Sequence, residues 1–385
     1  MTQAALIVLD DDRPTATITG LSWPEYRVRT AIRAGAKHIV MTADRIAPDV
    51  VRAIDSARAA GASATLAKSP ADAADLFHPD EAVLILSGGA VAPDMHLAAL
   101  MAVERPTIAC LPPDAGAEWE LIDSQARWSG LAGLTGAQVR ATAQMVGEWA
   151  FASTLLRQAV ASGAERYWLG EDELTDARRP QAAQVVSRRI AASATRDAEG
   201  WADRWIIAVS VRFLAALLHD RLPVIARTAP WLAVILMAAA PAIVWTLSPP
   251  LGAAVLFAGI LVAALAAIAG QATGIGYALD PWLPRFRNLA ALASLAALLR
   301  LPTVDHVPLV LAIVLVGITM LAARLRNRTD VAWLADVTGH IVVIGIGTMF
   351  GSLGLVVGLA VATAHAFASL AALQSTLSRD LTQIR

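Results

Sequence analysis

The sequence predicts a chain in two parts: an α/β domain with a mostly parallel sheet, then an all-α domain of six transmembrane helices. Three observations predict it. Short apolar runs alternate with helical patterns through the first half. In the second half, the stretches between Arg227 and Asp280 and between Asp336 and Arg379 contain no Asp, Glu, Lys or Arg. Charge is also split unevenly. From Ile206 onward there are 11 arginines and 6 aspartates with no lysine or glutamate, against 20 basic and 26 acidic residues before it. The front therefore carries −6 and the back +5, hidden in an overall charge of −1. Only 16% of the 385 residues are charged and 56% are hydrophobic, where a soluble domain is about a quarter charged. That composition, with mean hydropathy +0.55, excludes a disordered or collagen-like chain, and the single cysteine, Cys110, excludes a disulfide scaffold.

In the front half, Leu6–Leu9, His38–Met41, Ala64–Leu66, Ala82–Leu86 and Thr107–Leu111 read as buried strands. Between them Glu25–Ala34, Asp49–Ala60, Pro70–Leu76 and Asp94–Glu104 read as helices, with Gly35 and Gly61 at C-terminal cap positions. A later helix is expected over Ala137–Ser162, its apolar stripe facing a core. In such a fold ligands bind beyond the carboxyl ends of strands. Those ends are Asp10-Asp11-Asp12, Thr42-Ala43-Asp44 and Ser87-Gly88-Gly89. Asp10 and Asp12 are candidate Mg²⁺ ligands, because that ion takes carboxylate oxygens, although acidic turns are also common after strands. Ser87-Gly88-Gly89 either lets a backbone approach a phosphate or simply turns; no Gly-x-Gly-x-x-Gly or P-loop pattern surrounds it. Cys110 is expected inside a strand, without a His/Asn context that would activate it. Met1–Pro14 is acidic rather than basic, so no signal peptide is expected there.

The boundaries that follow are 1–170 for the α/β domain, 171–220 for a juxtamembrane linker and 221–385 for the membrane domain. Within the linker, Arg204–Leu218 is apolar but too short to span, and fits a helix lying in the interface of the cytoplasmic leaflet. Arg178, Arg179, Arg188 and Arg189 upstream either attract anionic lipid or form a solvated helix face.

Each charge-free run of the second half is long enough to cross a roughly 30 Å core twice at about 1.5 Å per residue. Ser248-Pro249-Pro250 and Gly351–Gly354 mark the turns of the two resulting hairpins. A third pair fits between them, at Leu289–Pro302 and Val307–Ala323. Arginines at 221, 227, 285, 287, 324, 326, 328, 379 and 385 fall on one side of this arrangement, and Arg300 with Asp305 on the other. The positive-inside rule then places both termini in the cytoplasm, in a cell (inner) membrane. Trp231, Trp245, Trp282 and Trp333 lie near span ends, as an aromatic belt requires. His340 and His365 are the ionisable candidates inside spans, and the glycines from Gly345 to Gly358 suit close helix packing. Nucleic acid is not an expected partner, since the soluble half is net acidic without a basic stripe.

Three local segments carry a resemblance. Arg27–Met41 (RVRTAIRAGAKHIVM) is similar to the helix, Ala-Gly, strand segment of sugar nucleotidyltransferases, and Leu84–Asp94 (LILSGGAVAPD) to their central strand and loop. Asp197–Trp205 (DAEGWADRW) is similar to the amphipathic entry into a phosphatidyltransferase membrane domain. Together the order of parts resembles the bifunctional inositol-phosphate (sugar-phosphate) cytidylyltransferase/CDP-alcohol phosphatidyltransferase enzymes. The resemblance implies a nucleotidyltransferase-like front domain, a lipid headgroup or CDP-linked ligand, and a homodimer or a partner membrane enzyme.

The departures bear on activity. Where the family opens with a glycine-rich, basic loop, this chain has Asp10-Asp11-Asp12-Arg13-Pro14. Gly89 stands where the family places a metal-binding aspartate, and the loop Ala269–Asn288, where it places several, contains Asp280 alone. Losing one element that stabilises a transferring phosphoryl group typically costs about 10² or more in rate. A non-catalytic partner or regulator of lipid-headgroup synthesis is therefore expected, with no catalytic residue and no cofactor assigned. Arg285 and Arg287 are its candidate phosphate contacts, or else topology-setting charges. Two alternatives stand beside it. One is an active enzyme with a rearranged centre, Asp10, Asp12 and Asp44 in one half and Asp280 with Asp336 in the other, holding Mg²⁺. The other is a transporter with a cytosolic sensing domain.

Overall fold

Alternating faces of the strands order the first part of the chain. The computed structural model describes residues 3–9, 14–43, 45–145, 150–170, 173–194, 200–275, 282–299, 306–325 and 335–383. They fall into two units, Met1–Ile190 with His219–Arg221, and Ala191–Leu218 with Leu222–Arg385.

In the first unit β1 (Gln3–Leu9), β2 (His38–Ala43), β3 (Ser63–Ala67) and β4 (Ala82–Leu86) lie parallel in the order β3-β2-β1-β4. Ala5, Ile7, Met41 and Leu84 point into one apolar layer, with α1 (Trp23–Arg33) and α2 (Pro48–Ala59). Leu6, Val8, Val40 and Ile85 point into the other, beside α3 (Pro70–Asp75). Both faces being covered is why β1, β2 and β4 read as nearly continuous apolar runs, while β3 leaves Ser63 and Thr65 exposed. α1 and α2 end as expected: the amides of Gly35 and Ala36 donate to Ile32 and Ala31, and those of Gly61 and Ala62 to Arg58 and Ala57.

Beyond β4 come β5 (Ala90–Val91), α4 (Asp94–Met101), β6 (Thr107–Leu111), β7 (Glu120–Asp123) and β8 (Ala126–Thr135). The five expected strands are β1–β4 and β6. The sheet is mostly parallel, but β8 runs antiparallel between β4 and β6. Nothing in its sequence, ARWSGLAGLT, announces a strand, because Gly130 and Gly133 are there for close packing. A Cβ on Gly133 would lie 2.1 Å from the Leu100 carbonyl oxygen. The helix expected over 137–162 is two, α5 (Gly136–Ala143), capped at Gln144, and α6 (Phe151–Ala161). β9 (Glu165–Trp168) extends the sheet beside β6, β10 (Thr175–Asp176) pairs with β5, and α7 (Pro180–Ser193) follows.

The second unit is helical: a π-turn (Asp203–Ile207) leading into α8 (Ala208–Leu217), then α9 (Leu222–Thr246), α10 (Pro249–Thr273), α11 (Leu283–Leu299), α12 (His306–Leu325), α13 (Val337–Thr348) and α14 (Gly351–Gln383). Three helices are long and apolar enough to cross a membrane, His219–Thr246, Pro249–Thr273 and Gly351–Ser375. The others differ for reasons of length and charge. The 12-residue α13 rises about 18 Å, well short of a roughly 30 Å core, and α11 begins with Arg285, Arg287 and Asn288. The first expected turn is present, and the second lies just ahead of its expected place, because Gly351–Gly354 already forms the first turn of α14. Ser248 caps α10 with Pro249 and Pro250 at its start, and α13 passes into α14 through Met349 and Phe350. Gly347 and Gly354 bring those two helices together, since a Cβ on Gly347 would meet the Gly354 carbonyl at 2.4 Å. Large apolar side chains such as Trp231, Ile235, Leu353 and Phe367 point outward, more than half exposed. Such a surface is costly in water and suits lipid.

Candidate functional site

In the first unit the chemistry gathers past the carboxyl end of β4, where the chain turns through Ser87, Gly88 and Gly89. Arg27, on α1, lies under this turn and is 2% exposed. Its Nη2 donates to the carbonyls of Ser87 and Gly88, both at 2.9 Å, and its guanidinium lies 4.3 Å from the Trp23 ring centre. Burial pulls the guanidinium down to about 10, against the opposing pull of Tyr26 and Asp176, so it stays charged at neutral pH.

The antiparallel pair of β5 and β10 carries Asp176 to the same turn, and Asp176 is 8% exposed. Arg178 Nε donates to both of its carboxylate oxygens at 3.0 Å, and the Arg178 amide donates to Oδ1 at 3.0 Å. Arg178 Nη2 reaches the Glu118 carbonyl at 2.9 Å, and Arg179 pairs with the Glu118 carboxylate at 3.3 Å. Gly89 must be a glycine here, because a Cβ would stand 2.1 Å from Asp176 Oδ1 and 2.9 Å from Arg178 Cγ. A cavity of about 260 Å³ adjoins the pair, lined by Glu118, Trp119, Thr175, Asp176 and Arg179 among others. This crevice does not fit a divalent cation. Both Asp176 oxygens already accept from Arg178 Nε, and no group of three His, Cys, Asp or Glu capable of holding a metal occurs among the described residues.

The residues singled out in the sequence are scattered. Asp10, Asp12, Asp44 and Asp280 lie outside the described residues. Arg285 is exposed and stacks 4.7 Å from the Trp282 ring, whereas Arg287 is buried and donates from Nε and Nη2 to Asn288 Oδ1 at 3.2 Å. The two arginines therefore do not converge on one ligand position. Asp336 is the N-cap of α13: its carboxylate accepts from the amides of Gly339 and Asp203. Cys110 is fully buried in β6, and burial pushes its thiol up to about 11, which leaves it unreactive at neutral pH.

Arg27, Glu118 and Asp176 carry no role in the sequence, although Arg27 opens the RVRTAIRAGAKHIVM segment, and Arg178, expected to attract lipid or to lie on a solvated helix face, instead binds Asp176 and the Glu118 carbonyl. The Asp-x-Arg spacing of Asp176 and Arg178 was the available signal. The chain turns through Ala177 and Arg178 directly after β10, which brings the Arg178 amide and Nε back to the Asp176 carboxylate, so Arg178 is engaged inside the first unit.

No protein-family model matches the sequence, and no curated protein is similar to it. The inositol-1-phosphate CTP transferase from T. maritima aligns over 44% of this chain and 86% of its own, at 10% identity and a TM-score of 0.32.

Proposed function

We propose that this chain is a multi-pass membrane protein related to phospholipid or glycolipid headgroup transferases, and that it works without catalysis, by binding a lipid or a partner enzyme. The observation that carries the reading is the Asp176–Arg178 pair. The buried carboxylate beside the Ser87–Gly89 turn has a built-in guanidinium as its counter-ion, at the place where a nucleotide-handling site of this architecture needs a metal. Asp336 supports it from the second unit, since its carboxylate is occupied by backbone amides as a helix cap. In this reading the six helices α9–α14 are all embedded in the bilayer with both termini in the cytoplasm, and the protein is a homodimer or pairs with an active enzyme in the inner membrane.

The test is calorimetry on the full chain in lipid nanodiscs, titrating Mg²⁺, CTP and a CDP-alcohol separately and together. No saturable Mg²⁺-dependent binding of either nucleotide is expected at millimolar concentration. Metal-dependent turnover of a CDP-alcohol would overturn the proposal in favour of a rearranged centre around Asp10, Asp12, Asp44 and Asp280.

A second reading, transport, draws on His340, which borders two cavities of the helical unit at once; the larger, about 350 Å³, is also lined by His365 and Trp201. Solute flux in reconstituted vesicles that disappeared with His340→Ala would promote it.

A further inference from the structure

The helical unit contains a second, mostly apolar cavity of about 170 Å³, partly open, with walls from α9 to α13. Leu256, Leu295, Leu298, Leu315 and Ile344 supply its apolar surface, and Asn288 and Leu292, both exposed, stand at its open side. An apolar cavity of about 150 Å³ stays dry and accepts a molecule the size of benzene, so this one suits a run of roughly six methylene groups.

One polar atom inside it is out of place. Thr228, Thr246, Thr273, Thr319, Thr363 and Ser369 each donate their hydroxyl to the carbonyl four residues earlier in their own helix. Ser294 does not. Its side chain is 6% exposed and lines the cavity, and its Oγ has no hydrogen-bond partner among the described residues. A buried hydroxyl left in this state costs free energy that a carbonyl acceptor entering the cavity would recover. Asn288, six residues away on the same helix, lies about 9 Å along the axis at the mouth, with its Oδ1 held by Arg287. Its amide N–H groups are thereby left to face acceptors.

We infer that this cavity binds one acyl chain of a bilayer phospholipid, with Ser294 Oγ–H donating to the ester carbonyl and the hydrocarbon lying between Leu295, Leu298 and Leu315. The occupant follows from the surroundings. The outer faces of the same helices are apolar and exposed, so the medium at the open side is lipid, and the Ser294 hydroxyl inside needs an acceptor. The inference does not depend on kinship with headgroup transferases; it needs only that the helical unit sits in a bilayer.

The test uses the full chain in dioleoyl phosphatidylcholine vesicles doped with a phosphatidylcholine that carries a diazirine midway along one acyl chain. Photolysis and peptide mass mapping are expected to place adducts on Leu295, Leu298 or Leu315, beyond those on outward-facing Leu353 and Phe367. Ala291→Phe, which fills the cavity from its wall, should cut the cavity adducts about tenfold while leaving Leu353 and Phe367 labelled. Ser294→Ala should cut them about threefold, the effect of one neutral hydrogen bond. Cavity adducts unchanged in both variants overturn the inference. So does labelling of the cavity by the corresponding diazirine fatty acid but not by the phospholipid.

Discussion

Arg27 shows what a single residue contributes to this fold. A guanidinium at 2% exposure has lost its water, and two backbone carbonyls and an indole face replace it. The turn at Ser87–Gly89 owes its shape to that charge, because both carbonyls point inward to meet it. Arg27→Met keeps most of the apolar stem but leaves the Ser87 and Gly88 carbonyls without that donor. We expect a loss of about 2 kcal/mol, read from chemical denaturation followed by tryptophan fluorescence. The pH dependence follows from the direction of the shift. Arg27 is held at about 10 in the folded state, below its ordinary value near 12.5, so the folded form releases its proton first. Stability from this group therefore rises with pH only above about 10. The Arg27→Met penalty should accordingly be the same at pH 6 and pH 9. A penalty that vanished between them would mean that Arg27 is not the charged tie described here.

At the scale of elements, legibility in the sequence depended on whether an element's pattern came from its own burial or from its neighbours. β1, β2, β4 and β6 were readable because each is covered on both faces and is largely apolar, whereas β3, with Ser63 and Thr65 exposed, shows only the short run Ala64–Leu66. β8 was not, since its glycines answer to Leu100 and to the Ser87 turn, partners far away in sequence. β5 and β10 are two residues each, too short for any periodicity, yet they deliver Asp176. The long helices α9, α10 and α14 were readable from length and charge alone, whereas α13 owes its start to a cap. Asp336 there accepts from Gly339 and, across the unit, from the Asp203 amide. Asp336→Ala removes both acceptors, and about 2–4 kcal/mol of stability should go with them: roughly one for the cap and the rest for a buried amide left unpaired. Asp336→Asn keeps one acceptor oxygen and should recover about half. Hydrogen exchange offers the sharper check. The amides of Asp203 and Gly339 should both exchange faster in Asp336→Ala, and protection lost at Gly339 alone would break the proposed link between the two segments.

At the scale of the whole molecule, the division between a −6 front and a +5 back corresponds to a change of solvent, and the segment that makes the change is the π-turn with α8. Trp205, Val209, Phe213 and Leu217 recur every four residues and are each more than half exposed, while Ile207, Val211 and Ala215 are buried. Ile207 and Val211 share a small cavity with Ala264 and Ile268 of α10. One face thus packs on protein and the other needs an apolar medium, but α8 is only 10 residues, about 15 Å, and cannot span. A helix of that kind rests with its apolar face about 5–10 Å into the headgroup boundary. Cys110 makes the prediction practical, because the only native thiol is fully buried and held near 11, so an introduced cysteine takes the label alone at neutral pH. Nitroxides at Phe213→Cys and Val361→Cys, in phosphatidylcholine nanodiscs, are compared by power saturation with oxygen and with a water-soluble nickel chelate. Val361 lies near the middle of the Gly351–Ser375 span and should show the deep signature, high oxygen and negligible nickel contact. Phe213 should read as shallow, with both reagents reaching it. Equal depth at the two sites would turn α8 into part of a span, and nickel contact at Phe213 as high as in a soluble loop would remove it from the membrane altogether. Either result would move the point where the chain enters lipid and would undo the two-solvent account of its charge.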